Sequence, residues 1–358
     1  MSIFPEEQLD SPVGYFPGKP GLTLDNGRWT ITRKLGWGPL SSTWLAVDNK
    51  EHMGEYSAIK ILTVEATEEP TATNESKLLS GPIKNFDEGF PTLTKTFYQH
   101  DPQGKRHFCL VFHVLGSSVE DLRLSNEYDG QYLPLHVVQK VIGDIAERLA
   151  GLNDEKIIHG AVHPDNFLFF CVQRGESIRK VLAKSPSEKA EEVVGAGGVS
   201  YPVVKSQPIE HNNPWDSSAE DILNVLIYLA NYGHAHHKGV AATLDDRKTY
   251  HAPEVLKGEK ADHKADIWAL GCSIYLLLTG TELFSDSYVA SPVETATETL
   301  GKLETLLKES EKISEKDLAP TASLLRSCLA IKPTKRASAV DVLGSGWIKG
   351  GCGCGYCG

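Results

Sequence analysis

At 358 residues the chain is long enough for one large domain or two ordinary ones, and its 41% hydrophobic content is that of a globular protein. The formal net charge of -11 disfavours nucleic-acid binding through phosphate neutralisation and suits a basic protein partner. No run reaches the roughly 18 uninterrupted apolar residues of a membrane-spanning helix, the nearest being the interrupted stretch Ile267 to Leu278. Residues 1 to 10 contain Glu6, Glu7 and Asp10 but no basic residue and no apolar run, so no secretory signal or transit peptide is expected, and the expected location is the cytosol or nucleus.

Residues 1 to 27 are rich in Pro and Gly and are expected to form an extended arm, packed on a lobe through Tyr15 and Phe16. Arg28 to Leu35 alternates as a strand, Gly36-Trp37-Gly38-Pro39-Leu40-Ser41 makes a turn, and Ser42 to Asp48 returns. Glycines at 36 and 38 let a backbone approach phosphate oxygens, although a plain glycine turn fits the same residues. Tyr56 to Leu62 is a further strand carrying Ala58 and Lys60, and Glu75 lies in the helical stretch Thr73 to Leu79. A strand Lys paired with a helix Glu can hold nucleotide phosphates. Phe90 to His100 and Lys105 to Leu115 are expected as two strands joined by the turn Asp101-Pro102-Gln103-Gly104. Leu135 to Leu152 has helical periodicity and leads into the loop His159-Gly160-Ala161-Val162-His163-Pro164-Asp165-Asn166-Phe167-Leu168.

A polar insertion from about Val172 to Asp221 follows and is expected to be mostly unstructured. Ile222 to Leu229 then reads as a strand entering Ala230-Asn231-Tyr232-Gly233-His234-Ala235. Beyond it come Tyr250-His251-Ala252-Pro253-Glu254, the apolar helix opened by Ala265-Asp266-Ile267-Trp268, and Lys332-Pro333-Thr334-Lys335-Arg336. Of the seven cysteines, Cys109, Cys171, Cys272 and Cys328 sit in apolar surroundings and read as reduced core residues. Cys352, Cys354 and Cys357 lie in a glycine-dense tail, read as a reactive unstructured segment, with a soft-metal site or acylation as the alternatives. His234, His236 and His237 lack a cysteine or acid at ligand spacing, and a metal site there is the lesser reading.

The glycine turn, Lys60, the loop from His159 and the Ala-Pro-Glu element together resemble a protein kinase. Gly14-Tyr15-x-Pro17, Asn26-Gly27-Arg28-Trp29, Arg33-Lys34-Leu35-Gly36, Ser42-x-Trp44-Leu45-Ala46 and Val111-Phe112-x-Val114-Leu115-Gly116 narrow that to the SR-protein kinase family, over residues 12 to 348. That family is two-lobed, uses ATP with magnesium, and phosphorylates serines in Arg/Ser-rich proteins. The resemblance implies an α+β fold: an arm over 1 to 27, a β-sheet N-lobe of five strands over 28 to 115 with the hinge near Leu115, a helical C-lobe over 116 to 348 that includes the insertion, and the tail 349 to 358. It also implies nucleotide contacts from Gly36, Gly38, Ala58, Lys60, Glu75, Asn166 and Leu168, a metal-facing carbonyl on Asn166, bracing of the loop backbone by Asp266, and pairing of Arg336 with Glu254.

Positions 160, 161, 163 and 231 depart from the family pattern, Gly160 standing where the Arg of the loop belongs. Ala161 stands where the base Asp belongs, Asn231 where the metal-holding Asp belongs, and His163 where the loop Lys belongs. General base catalysis is worth about two to four orders of magnitude, and magnesium prefers carboxylate oxygens. The leading expectation is a pseudokinase that regulates or scaffolds a protein partner carrying an Arg/Ser-rich basic segment. It would bind ATP weakly and with little dependence on magnesium, or not at all. The alternative is a divergent Ser/Thr kinase or another ATP-dependent transferase using His163 or Asp165. For His163 itself, service as a base near neutral pH competes with simple loss of the Lys function.

Overall fold

The computed structural model describes residues 6, 11–50, 55–86, 89–126, 130–171, 175–194, 198, 200–240 and 244–349. Cys352, Cys354 and Cys357 lie outside the described residues. The chain divides into two compact units, one drawn from Met1–Lys84, Pro91–Ser117 and Cys171–His211, the other from Asn85–Phe90, Ser118–Phe170 and Asn212–Gly358.

The first unit is an antiparallel sheet of β1 (Thr23–Leu24), β2 (Trp29–Gly38), β3 (Ser41–Asp48), β4 (Tyr56–Leu62), β5 (Leu93–His100) and β6 (Arg106–Phe112). Its order is β1-β2-β3-β4-β6-β5, so the five expected strands gain a two-residue sixth at the edge. Alternation along β3 sends Trp44 and Ala46 into one apolar cluster and Leu45 into another. Helices α1 (Val64–Glu68) and α2 (Asn74–Ser80) follow β4. The arm packs as expected: Phe16 is buried among Trp29, Trp44 and Ile59, and the Tyr15 hydroxyl donates to the carbonyl of Gly38 at 3.0 Å.

The insertion is not the unstructured segment expected. Within it, Gly175–Lys184 is a helix and Glu191–Val194 pairs with Ser200–Val203 as an antiparallel hairpin. The segment up to His211 belongs to the first unit rather than to the helical lobe. Ile178, Val181 and Leu182 are spaced to share one side of the helix, where Ile178 and Ile209 pack with Leu45 and Val114. Val204 enters the cluster on the opposite side of the sheet. Beside these, the Arg33 guanidinium donates to the Ser185 carbonyl, and the buried Lys34 ammonium meets the Glu6 carboxylate and the Val204 carbonyl. A few apolar residues dispersed in a charged stretch therefore suffice to anchor it.

The second unit is built on Leu135–Asp154, whose Val137, Val141, Ile145 and Leu152 are fully buried as the periodicity required. Helix Lys264–Thr279 is buried along nearly its whole length. Gly271 is needed there, since a Cβ would meet Leu329 at 2.9 Å and Cys328 at 3.0 Å. The expected strand Ile222 to Leu229 is shorter: Ser218 caps a helical turn Ala219–Leu223, accepting from the Asp221 amide at 3.2 Å, and only Ile227–Leu229 is a strand, paired with Phe167–Phe170. Cys109, Cys272 and Cys328 are buried free thiols, and Cys171 is half-buried.

Because Ile178 is 2% exposed, Ile178→Ala is expected to cost about 2–4 kcal/mol in urea denaturation. An unchanged midpoint would return the insertion to the unstructured reading.

Candidate nucleotide and phosphoryl-transfer elements

In the first unit, register places Gly36 opposite Thr43 and Thr43 opposite Lys60, so the glycine turn and the lysine lie on adjacent parts of one sheet. Neither Gly36 nor Gly38 has a positive φ, and a Cβ at either would meet nothing within 4 Å. The fold itself therefore does not demand glycine there, and the space beside the backbone is free for a ligand. Lys60 Nζ lies 2.6 Å from Glu75 Oε2, with side chains 11% and 5% exposed. Ala58, two residues before Lys60, is buried on β4.

In the second unit the loop backbone is braced as expected. Asp266 Oδ2 accepts from the His159 amide at 2.8 Å and Oδ1 from the Gly160 amide at 2.9 Å. Complete burial outweighs these bonds and raises the Asp266 pKa to about 6. His159 donates through Nε2 to the Ala230 carbonyl at 3.0 Å and accepts through Nδ1 from the Ala161 amide at 3.3 Å. Burial lowers its pKa to about 3, so it is a neutral structural ring. Gly160 sits at φ +79°, where a Cβ would approach the His234 carbonyl oxygen to 3.0 Å.

Ala161 is 2% exposed, and its only polar groups are those of the backbone; its carbonyl accepts from Asn166 Nδ2 at 2.8 Å. Asn166 Oδ1 in turn accepts from Asn231 Nδ2 at 3.2 Å. Asn231 holds left-handed angles, φ 66° and ψ 72°, which Asn tolerates better than most residues. Leu168 is half-buried opposite Tyr228. The two residues expected to face a metal are thus bonded to each other.

His163 sits among acids that sequence reasoning missed. Nδ1 lies 2.9 Å from Asp165 Oδ2, and Nε2 lies 3.4 Å from Asp245 Oδ2. Nε2 is also 2.9 Å from Asn166 Nδ2, a contact that suits the neutral ring only. Two carboxylates decide for the cation: burial lowers the pKa, but bonds to Asp165 and Asp245 raise it to about 9. His163 at neutral pH is therefore an imidazolium, a positive charge within the loop that is unsuited to act as a base. Asp245 also lies 3.0 Å from His251 Nε2, and its pKa is pushed down despite burial by both histidines. The signal in the sequence was the acidic pair Asp245-Asp246 followed by Arg247, just before the Ala-Pro-Glu element. His236 bonds the His234 carbonyl at 3.0 Å, and the strand His236–His237 pairs with Ile157–Ile158. Among the described residues no group of three His, Cys, Asp or Glu side chains is placed to hold a metal.

Arg336 reaches Glu254 through both terminal nitrogens, at 2.7 and 3.1 Å, and lies over the Trp268 ring. Buried side-chain bonds thus brace both the loop and the helical scaffold beneath it.

The folded pKa of His163 stands above its unfolded value, so its stabilising contribution is full below about pH 6.5 and is lost as pH rises through about 9. Melting curves between pH 6 and 10 are expected to show that loss, and His163→Ala should flatten the curve over that range. Equal slopes for both proteins would contradict the cation.

Residues 223–348 match the family profile described as the protein kinase domain, a stretch that contains Asn231, Glu254, Asp266 and Arg336. The serine/threonine-protein kinase SRPK of Physarum polycephalum is 32% identical over 76% of this chain and 65% of its own length. Protein kinase dsk1 of Schizosaccharomyces pombe is 24% identical over 76% of this chain and 64% of its own. SRSF protein kinase 3 of Homo sapiens is 32% identical over 55% of this chain and 34% of its own. The chain thus spans less than two thirds of the length of these relatives. A crystal structure of a kinase domain superposes with a TM-score of 0.62 at 19% identity, covering 93% of this chain and 98% of the other. The chain has the protein kinase fold, antiparallel sheet and helical unit alike, with a match to the protein kinase domain profile over residues 223–348 and SRPK and SRSF protein kinases among its relatives.

Proposed function

We propose that this chain is a pseudokinase of the SR-protein kinase type, a protein-binding regulator or scaffold of the cytoplasm or nucleus in which phosphoryl transfer is lost or vestigial. The observation that carries the reading is the state of the loop: a buried methyl at Ala161, and Asn166 bonded to Asn231. Either change alone removes one contribution, and together they remove both the acceptor for a hydroxyl proton and the carboxylate that neutralises a cation.

The fit differs between nucleotide and metal. ATP phosphates suit the first unit, where Gly36 and Gly38 leave open space and Lys60 supplies a positive charge. Magnesium does not suit Asn166 and Asn231, which offer neutral amide oxygens, one already accepting a hydrogen bond. Nucleotide binding is therefore weak and nearly indifferent to magnesium. The chain's charge of -11 and its relatives named as SRPK and SRSF protein kinases support a basic, Arg/Ser-rich segment as the partner.

The second reading, a divergent Ser/Thr kinase or another ATP-dependent transferase, is favoured by one feature. Asp165 is a 40% exposed carboxylate within the loop, and His163 and Arg247 hold its pKa low against burial. An acid held so low is a poor base. The discriminating experiment is mass spectrometry of the protein incubated with ATP, magnesium and an Arg-Ser peptide. Transfer is expected to be at least about a thousandfold below a competent relative. Ala161→Asp with Asn231→Asp should recover part of it, and each alone much less. Ordinary turnover by the native chain would establish the second reading.

For nucleotide, ATP at a hundred times its dissociation constant stabilises a folded protein by about 2.7 kcal/mol, which a melting curve reads. The shift should be similar with and without magnesium and absent in Lys60→Ala. A strongly magnesium-dependent shift would reject the role given to Asn231.

A further inference from the structure

Arg247 is held by carboxylates from two different elements. One terminal nitrogen donates to Asp165 Oδ2 at 2.7 Å and the other to Glu282 Oε1 at 3.4 Å. Thr249 donates its hydroxyl to the second Glu282 oxygen at 3.1 Å. Asp165 belongs to the loop, whereas Glu282 follows helix Lys264–Thr279. The side chains of Arg247, Asp165 and Glu282 are 32%, 40% and 39% exposed, so these bonds stand in exchange with solvent and with competing cations.

The contact is poorly suited to a structural role. Exposed ion pairs add little to stability, and the segment is already anchored by the buried Asp245 carboxylate beside His163 and His251. What the contact does supply is a guanidinium bound at an acidic place. Glu282 also lines an open pocket of about 450 Å³ together with Phe284, Asp286 and Thr295 among others, whose charged members are both acidic. That leaves room beside Glu282 for a further basic side chain. Two carboxylates on separate elements also select the cation: a planar guanidinium donates to both at once, whereas an ammonium is a single point of charge.

We propose that Asp165 and Glu282 form an arginine-binding subsite occupied by the chain's own Arg247, so that an arginine of a basic partner segment binds there by displacing it. The inference rests on the Arg/Ser-rich partner proposed above and adds its regulation. Arg247 acts as an internal competitor, and partner binding releases the segment that carries it.

The test is fluorescence anisotropy of the full chain with a labelled Arg-Ser repeat peptide. Arg247→Ala is expected to bind roughly fivefold more tightly than the native protein, the gain available from removing a surface ion pair. Arg247→Lys should fall between the two. Glu282→Gln placed on Arg247→Ala should abolish the gain, and a Lys-Ser repeat peptide should gain less than the Arg-Ser one. Equal affinity for native, Arg247→Lys and Arg247→Ala proteins overturns the internal competitor and leaves the partner reading standing. No binding by any of the three removes both.

Discussion

The carboxylate of Asp266 fixes the loop that carries Ala161, His163 and Asn166. Both its oxygens accept backbone amides, those of His159 and Gly160, and the group is fully buried. A buried carboxylate is costly unless its acceptors are satisfied, so this arrangement is stable only while the loop keeps its path. The path in turn sets where Ala161, His163 and Asn166 stand. Because the bonds go to backbone, the identities of those side chains can change without disturbing the support. Glu254 and Arg336 illustrate the same separation from the other side of the helix, as a buried, doubly bonded pair whose loss would strand a charge.

The positive charge within the loop is carried by a buried histidine. A lysine acts at a distance through a flexible stem, whereas His163 is buried and carries its charge only because Asp165 and Asp245 flank it. Its cation therefore belongs to a network that joins Asp165 of the same loop to Asp245 and Arg247 of a segment some eighty residues further on. Loop and segment are linked by electrostatics that do not require a metal or a phosphate group.

Much of this was legible in the sequence, where local pattern and chemistry coincided. The glycine hairpin and the amphipathic helix from Leu135 follow from residue type and spacing, while Lys60 with Glu75, the bracing by Asp266 and the Glu254–Arg336 pair follow from the resemblance to the SR-protein kinase family. What escaped was set by tertiary packing. Ile178, Val204 and Ile209 are separated by polar stretches that resemble a linker, and only contact with the sheet shows that they are core. Asp245 carries only a local sign, the acidic pair ahead of the Ala-Pro-Glu element, while the histidine beside it lies over eighty residues earlier. The strand after the insertion was overextended because Ile222 and Leu223 are as apolar as the strand that follows; the cap at Ser218 was the missed sign.

Gly160 gives the loop a direction of change. At positions 161 and 231 the backbone accommodates an acid: Ala161 imposes no unusual angle, and the left-handed angles of Asn231 suit Asp as well as Asn. At position 160 the left-handed backbone and the His234 oxygen 3.0 Å from any added Cβ oppose every residue with a side chain. An arginine restored there would have to move the chain, and moving it would pull against the two amides held by Asp266. An acid at 161 or 231 is thus sterically admissible one residue at a time, while position 160 resists any side chain unless the loop moves.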